Sequence, residues 1–447
     1  MSEQPARPSN TADAVTQSEQ PVTFREVFGL PEFRALFSSG VVDQIGDYLS
    51  RAAVTALVYQ QSQSVLLSAT SFAISYLPWL FGPLLSALAE RYPHRRVMIT
   101  SDLCRMVLIS LLLLPGLPVP VMFVLLFLSG LGAPPSRSAR SAMLPLVVGR
   151  DRLALAVAST QTSGQAAQVI GYLAGATLSV ALTPRIALGL DVLTFALSAA
   201  IVAFGIRRRP AESAGAERTH LLQETFEGFR LVFGDQVLRS ITIVVYTVTI
   251  FAIVPEGLAA AWAAEGTSGP DSHGLDQGMI MAAGPLGFVI GGILFNRFVP
   301  AARRVRLIPL LAVIAPLLLV PTITGPPAPI VALLVLLAGL LHGSLLPTLN
   351  ATFVLALPHG FRARAFGVVN SGIQLSQFGA VMLTGMLADR FWLPTVVGLW
   401  SIGGTLAMLL VAIFWPRPVA FAEAAERASA SVPSARQPTT SVTSEQA

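Results

Sequence analysis

Three ionisable residues, Asp43, Asp47 and Arg51, stand at i, i+4 and i+8 inside an apolar run, which places them on one face of a helix. Counted from Phe33 at about 1.5 Å per residue, Asp43 lies roughly 15 Å and Arg51 roughly 27 Å along that helix. Ionisable groups so deep in an apolar segment face a partner or a wet cavity. Asp47 precedes Arg51 by four residues, the favourable order for an ion pair, so the spacing predicts that these two bond to each other. Asp43 has no basic partner in its own helix and is either a proton carrier or a hydrogen-bonded structural carboxylate. His342 stands alone in a later apolar run, and an imidazole there suits a proton carrier or a hydrogen-bonded cavity residue. Arg137 and Arg140, in Pro134-Pro135-Ser136-Arg137-Ser138-Ala139-Arg140, must likewise pair or line water.

Amides form the second constellation. Gln161, Gln165 and Gln168 fall at i, i+4 and i+7, and Asn370, Gln374 and Gln377 repeat that spacing at a common offset of 209. Three amides on one helical face are costly in lipid, so both faces point inward. They serve either helix–helix hydrogen bonds or the wall of a central cavity, and their matching positions favour the cavity. Amides among apolar residues suit a large, mostly apolar ligand with a few polar handles. Near the far ends of the runs, Arg51 corresponds to Glu256 under an offset of 205, and the two are predicted to meet as an outer gate. The alternative is a Glu256 that rests among lipid headgroups.

Composition defines the elements that must hold these groups. Hydrophobic residues make up 53% of the 447 and charged ones 12%, with a mean hydropathy of +0.67, too apolar for a soluble chain of this length. Twelve runs approach or exceed the roughly 20 residues that a span requires: 35–60, 66–89, 97–116, 119–146, 154–181, 185–206, 238–264, 277–296, 305–324, 328–355, 366–389 and 393–415. Residues 1–22 and 416–447 read as disordered tails, and no cleavable signal is visible. Cys104 is the lone cysteine, which rules out an internal disulfide.

All 29 basic residues are arginine. The absence of lysine excludes a Walker A loop and Schiff-base chemistry. No H-E-x-x-H, G-x-S-x-G or Cys/His metal cluster occurs, so neither an enzyme nor a metal or cofactor is expected. The net charge of +5 is a topology signal and not a nucleic-acid signal. If the N-terminus is cytoplasmic, fifteen arginines, among them Arg91, Arg95, Arg96, Arg303, Arg304 and Arg306, fall in inner loops, and only Arg185 and Arg390 fall outside. That bias places both termini in the cytoplasm.

The chain also repeats itself. Phe24-Arg25-Glu26-Val27-Phe28-Gly29 before the first run matches Phe229-Arg230-Leu231-Val232-Phe233-Gly234 before the seventh, with Arg34 and Arg239 following, at one offset of 205. Residues 207–237 link the two copies, and Leu221, Leu222, Phe226, Phe229 and Phe233 give the linker an amphipathic helix. A basic hinge recurs as well. Gly82–Arg96, GPLLSALAERYPHRR, contains Glu90, Arg91, Arg95 and Arg96, and Asp102 and Arg105 follow at i and i+3 as a predicted pair. The second copy holds Gly292, Asn296 and Arg297 before Arg303.

These hinges resemble the loop signature G-x-L-A-D-R-x-G-R-R of the major facilitator superfamily, with Ser86, Glu90 and Pro93-His94 as departures in the first copy and Asn296 in the second. Arg152-Leu153, Ile170-Gly171 and Asp191-Val192-Leu193-Thr194-Phe195 resemble the drug- and macrolide-efflux and enterobactin-exporter-like branch. The resemblance implies an all-α membrane protein with twelve transmembrane helices in two pseudo-symmetric six-helix bundles, 23–206 and 238–415. It implies a role for Arg140 in proton coupling, while the antiporter signature of the fifth helix survives only as Gly171-x-x-x-Gly175. The expected function is secondary active transport: proton-coupled efflux of an amphipathic drug, secondary metabolite or siderophore by alternating access. Nutrient uptake and a non-transporting scaffold or sensor are the alternatives. The expected state is a monomer in the plasma membrane, working with protons, a small substrate and the lipid bilayer, without ATP or nucleic acid.

Overall fold

The computed structural model describes residues 23–89, 91–210, 221–266, 272–357, 361–417, 420, 421, 423, 424, 426 and 427. The N-terminal tail, Glu90, part of the linker and most of the C-terminal tail lie outside the described residues. Regular structure among those described is helical throughout. In the first half of the chain the helices are α1 (Phe24–Phe28), α2 (Pro31–Ser62), α3 (Val65–Ala73), α4 (Gly82–Ala89), α5 (His94–Leu111), α6 (Val119–Gly130), α7 (Ala133–Val148), α8 (Arg150–Ala181) and α9 (Pro184–Gly205). After the linker helix α10 (Leu221–Gly234) come α11 (Gln236–Ala252), α12 (Val254–Glu265), α13 (His273–Phe298), α14 (Ala301–Leu317), α15 (Ala328–Ala356), α16 (Arg362–Ala388) and α17 (Leu393–Ile413).

Proline explains where the apolar runs break. Pro78 sits in a 3-10 stretch, Ile74–Phe81, between α3 and α4. Pro134 and Pro135 open α7, and Pro255 opens α12. Each proline removes a backbone donor and splits one long run into two helical pieces. Among the described residues, eight segments are long and apolar enough to cross a membrane: 65–87, 119–148, 184–205, 236–265, 273–298, 303–324, 328–356 and 393–413. The helices α2, α5, α8 and α16 fall outside that set, and they carry Asp43, Asp47, Arg51, Asp102, Arg105 and both amide faces.

In the first half α2 packs against α8 and α9, and α5 packs against α9 and α7. The Gly171-x-x-x-Gly175 pair resolves as a packing device: a Cβ at Gly171 would stand 2.7 Å from the carbonyl oxygen of Ile45, so only glycine lets α8 approach α2 this closely. In the second half α13 lies along α15, and α14 along α17. Large apolar side chains on the outer faces stay exposed, among them Leu193, Leu197, Leu406, Leu410 and Ile413, as lipid-facing helices require.

Contacts between the halves run α8 to α13, α3 to α16 and α3 to α12. Several of their hydrogen bonds lie far from the arginine-rich hinge. Asp389 accepts from Val65 N at 2.9 Å and Ser64 Oγ at 3.0 Å, and Tyr59 Oη donates to Glu265 at 3.1 Å. Gln277 Nε2 donates to the Ala52 carbonyl at 2.9 Å and to Thr55 Oγ1 at 3.0 Å. At the hinge end, Glu32 binds Arg209 in the linker, and that hydrogen bond holds the Glu32 carboxyl below the ordinary carboxylate range.

Candidate functional site

A buried cluster of charge occupies the first half. Arg105 on α5 reaches across to α2, donating from Nη1 to Asp43 Oδ1 at 3.1 Å and from Nη2 to Asp47. Arg140 on α7 meets the other oxygen of Asp43 at 3.4 Å. The predicted Asp47–Arg51 pair therefore does not form, nor does an Asp102–Arg105 pair. A guanidinium reaching from a neighbouring helix presents two donors to two carboxylates, a geometry that i, i+4 spacing along one helix cannot offer. Arg51 instead lies over the rings of Tyr48, Phe72 and Tyr76 at 5.4–5.5 Å. Asp102 accepts from Ser198 Oγ at 2.7 Å, and its Oδ1 is buried without a partner. Asp43, Asp102, Arg105 and Arg140 are all at most 9% exposed. Gly40 makes room for Arg140, because a Cβ there would stand 3.0 Å from its Nη1.

Asp191 on α9 completes the cluster. It is fully buried and accepts from Thr194 Oγ1 at 3.1 Å, while its Oδ2 has no partner. Its place in the sequence offered only one carboxylate in an apolar run. The tertiary fold that stacks α9 on α2 brings it to the rim of the space holding Asp47, Arg51 and Arg105.

A separate cavity opens between the halves. Gln165 and Gln168 of α8 face Gln377 of α16 across it, with Glu256, His342 and Phe288 also in the wall and Val248, Ile253, Leu319 and Val335 making it apolar. A second cavity lies between α2, α7 and α8 and is lined by Gln161, Gln44, Arg137 and Arg140. Asn370 is exposed and Gln374 half-buried, and neither lines these two cavities. None of the six amide side chains makes a hydrogen bond among the described residues, so helix–helix bonding is not what they do here. His342 likewise makes no hydrogen bond among them.

The expected Arg51–Glu256 ion pair is not formed among the described residues. Glu256 Oε2 accepts from Tyr172 Oη at 3.4 Å and opens on the cavity. At the hinge, Arg95 donates to the Ala203 carbonyl, and Arg91 and Arg96 are exposed. Gly292 passes close to Gly343, Arg297 is exposed, and the Asn296 carbonyl accepts from Arg304 Nη2 at 3.0 Å.

Comparison with known proteins decides the family. A model of the Major Facilitator Superfamily matches residues 36–267, more than half of the chain. The chain belongs to this superfamily. Macrolide efflux protein A of Streptococcus pyogenes is 21% identical over 283 residues, covering 62% of this chain and 69% of that protein. An uncharacterised MFS-type transporter of Mycobacterium tuberculosis is 31% identical over 156 residues, 33% of this chain and 35% of the relative. Among solved structures, a peptide transporter POT in complex with sulfate superposes with a TM-score of 0.67 at 16% identity, covering 94% of this chain and 99% of that one. A bacterial homologue of the human lysosomal transporter Spinster, in an inward-facing and occupied conformation, superposes with a TM-score of 0.63 at 14% identity, covering 89% and 96%. This facilitator therefore has a transporter's fold, is a multi-pass membrane protein, and resembles the macrolide-efflux branch in sequence. Its family and fold are those of carriers and not of enzymes.

Proposed function

We propose that this facilitator is a secondary active exporter that exchanges protons for an amphipathic substrate by alternating access. The observation that carries the proposal is the separation of two sites: a buried acid–arginine cluster on α2, α5 and α7, and an apolar, amide-lined cavity between the halves. One site is suited to hold a proton and the other to hold a substrate. Asp43 is the proton carrier, with Asp47 and Arg140 tuning it, and Gln165, Gln168 and Gln377 supply polar handles. Protonating Asp43 would weaken its bonds to Arg105 and Arg140, and so would loosen α2 from α5 and α7.

Twelve spans in two six-helix bundles, 23–206 and 238–415, joined by 207–237, fit the helix starts, which repeat at near-constant offset: Pro31 with Gln236, and Val119 with Ala328. With both termini cytoplasmic in the plasma membrane, the hinge end is the inner side, and the Asp389, Glu265 and Gln277 contacts close the outer side. The described state is then inward-facing. Glu90 would cap the N-terminus of α16 when the inner side closes, and the chain works as a monomer. Peptide uptake is the weaker reading, because a zwitterionic peptide needs charges of both signs in the wall, and this cavity offers no arginine.

The driving force suffices. A proton moving down 100 mV and one pH unit releases about 2.3 plus 1.4 kcal/mol, enough for a roughly five-hundredfold gradient of a neutral solute. A panel of amphipathic antibiotics and dyes, tested on cells expressing wild-type or Asp43→Asn protein, checks the proposal. Wild type should lower accumulation and raise resistance, and Asp43→Asn should do neither. Equal accumulation in wild-type and empty cells across the panel contradicts export.

A further inference from the structure

Two acids of the charge cluster, Asp102 and Asp191, have no cation bonded to them among the described residues, and each keeps one buried oxygen without a partner. They differ in what lies beside them. Asp102 lines neither the central cavity nor the two spaces inside the first half. Asp191 lines the space that also holds Asp47, Arg51 and Arg105, and Arg137 and several serines complete its polar wall. Ser50, Ser71 and Ser75 each donate to the carbonyl three residues earlier, which leaves their oxygens free to accept. A chamber with so many polar groups holds water.

Local packing fixes Asp191 at this wall. Thr194 Oγ1 donates to its Oδ1 at 3.1 Å, and Gly46 of α2 clears the space beside both, since a Cβ there would overlap them. One turn further along α9 the Phe195 ring lies 4.4 Å from the Arg105 guanidinium and holds it against α9. Arg105 spends its Nη atoms on Asp43 and Asp47, and its Nε is buried without a partner. An unused donor, Arg105 Nε, and an unused acceptor, Asp191 Oδ2, therefore belong to residues of one wall. The charged and titratable groups facing Asp191 are Asp47, Tyr48 and Arg51 on α2, Arg105 on α5 and Arg137 on α7. Helix α8, also packed on α9, contributes no residue to this wall. Arg51 and Arg137 lie over aromatic rings, the latter 5.0 Å from Trp79. A buried carboxylate without a cation is costly, whereas the neutral acid is not and adds a hydroxyl donor to the chamber.

We infer that Asp191 holds a proton which it shares with Asp47 through the water of this chamber, and that Arg105 follows the charge between them. The transfer balances within the cluster. The O–H bond of Asp191 breaks, water relays the proton, an O–H bond forms on Asp47, and the negative charge passes from Asp47 to Asp191. Arg105 then gives up its bond to Asp47 and turns its unused Nε to Asp191, so its hold moves in part from α2 to α9. The inference rests on the proton-exchange reading for its purpose, and on this chamber alone for its chemistry.

Infrared difference spectroscopy of the purified full-length protein in lipid nanodiscs at neutral pH tests this without any substrate. Wild type minus Asp191→Asn should contain the carbonyl band of a protonated carboxyl group, and that band should shift promptly in heavy water. Asp191→Glu, which keeps the acid, should displace the band and not remove it. Asp47→Asn should lose the same band although Asp191 is intact, because Arg105, freed from Asp47, then bonds an ionised Asp191. The amide band of each spectrum reports whether the variant is folded. A difference spectrum that shows only ionised carboxylate overturns the inference, as does an acid band that neither Asp191 variant alters. An Asp191 band that survives unchanged in Asp47→Asn overturns the sharing. The predicted spectra in a protein that transports nothing against a pH gradient leave the shared proton standing and remove the export reading. Gradient-driven export without the Asp191 band removes this inference alone.

Discussion

The charge cluster turns on one guanidinium. Arg105 bonds both Asp43 and Asp47, so its removal leaves Asp47 without an ion-pair partner and Asp43 with Arg140 alone, and breaking a buried pair in this way costs about 3–5 kcal/mol. Arg105→Met should therefore lower the thermal midpoint in detergent strongly, and adding Asp43→Asn and Asp47→Asn should restore much of it. An unchanged midpoint for the single variant would mean that the pairs contribute nothing. Glu32 sets a second test, on the aqueous side. Arg209 holds its carboxyl below the ordinary value, so the contact adds stability fully above about pH 4.3 and loses it as the pH falls through the depressed folded value. Hydrogen exchange of the Arg207, Arg208 and Arg209 amides at neutral pH should accelerate in Glu32→Gln relative to wild type, and an unchanged rate would mean that the contact does not hold this segment. At this scale the sequence showed which residues are unusual but not whom they meet. Asp43, Asp47, Arg140 and the glutamines stood out by type and spacing, whereas the choice of Arg105 over Arg51 depends on helices distant in the chain. Asp191 and Asp389 were missed as contacts for the same reason: each is one acid whose meaning comes from a neighbour over a hundred residues away.

Hydrophobic length was legible at the next scale, because it is a local property of the chain. The ends of α2, α9 and α15 fall within a few residues of the runs read from the sequence, whereas the breaks near Pro78, Pro134 and Pro255 divide runs that read as continuous in the sequence, each proline removing a backbone donor. The expected outer gate was less legible. Opposite charges at matched positions suggested a direct bridge, yet the contact found at that end is a helix cap, with Asp389 of α16 accepting the first amides of α3. A cap of this kind contributes about 1 kcal/mol, which corresponds to roughly a fivefold change in an equilibrium. Asp389→Ala should thus raise labelling of a Gln168→Cys reporter by an impermeant maleimide from outside the cell roughly fivefold, in a Cys104→Ser background. Labelling that stays at the parental rate would show that this contact does not hold the outer side closed.

At the scale of the whole molecule, the account has two halves that touch at one end, enclose a cavity and leave the charge cluster to one side. In the function proposed above, that arrangement separates the proton carrier from the surface that holds the substrate. The two communicate through α2, which carries Asp43 and Asp47 and packs against α8, the helix of Gln165 and Gln168. The measurement that tests this most directly is uphill transport against downhill exchange of one substrate in proteoliposomes, comparing wild type with Asp43→Asn under an imposed pH gradient. The account predicts that Asp43→Asn still exchanges substrate across the membrane but no longer accumulates it in response to the gradient. Undiminished gradient-driven accumulation by Asp43→Asn would contradict it.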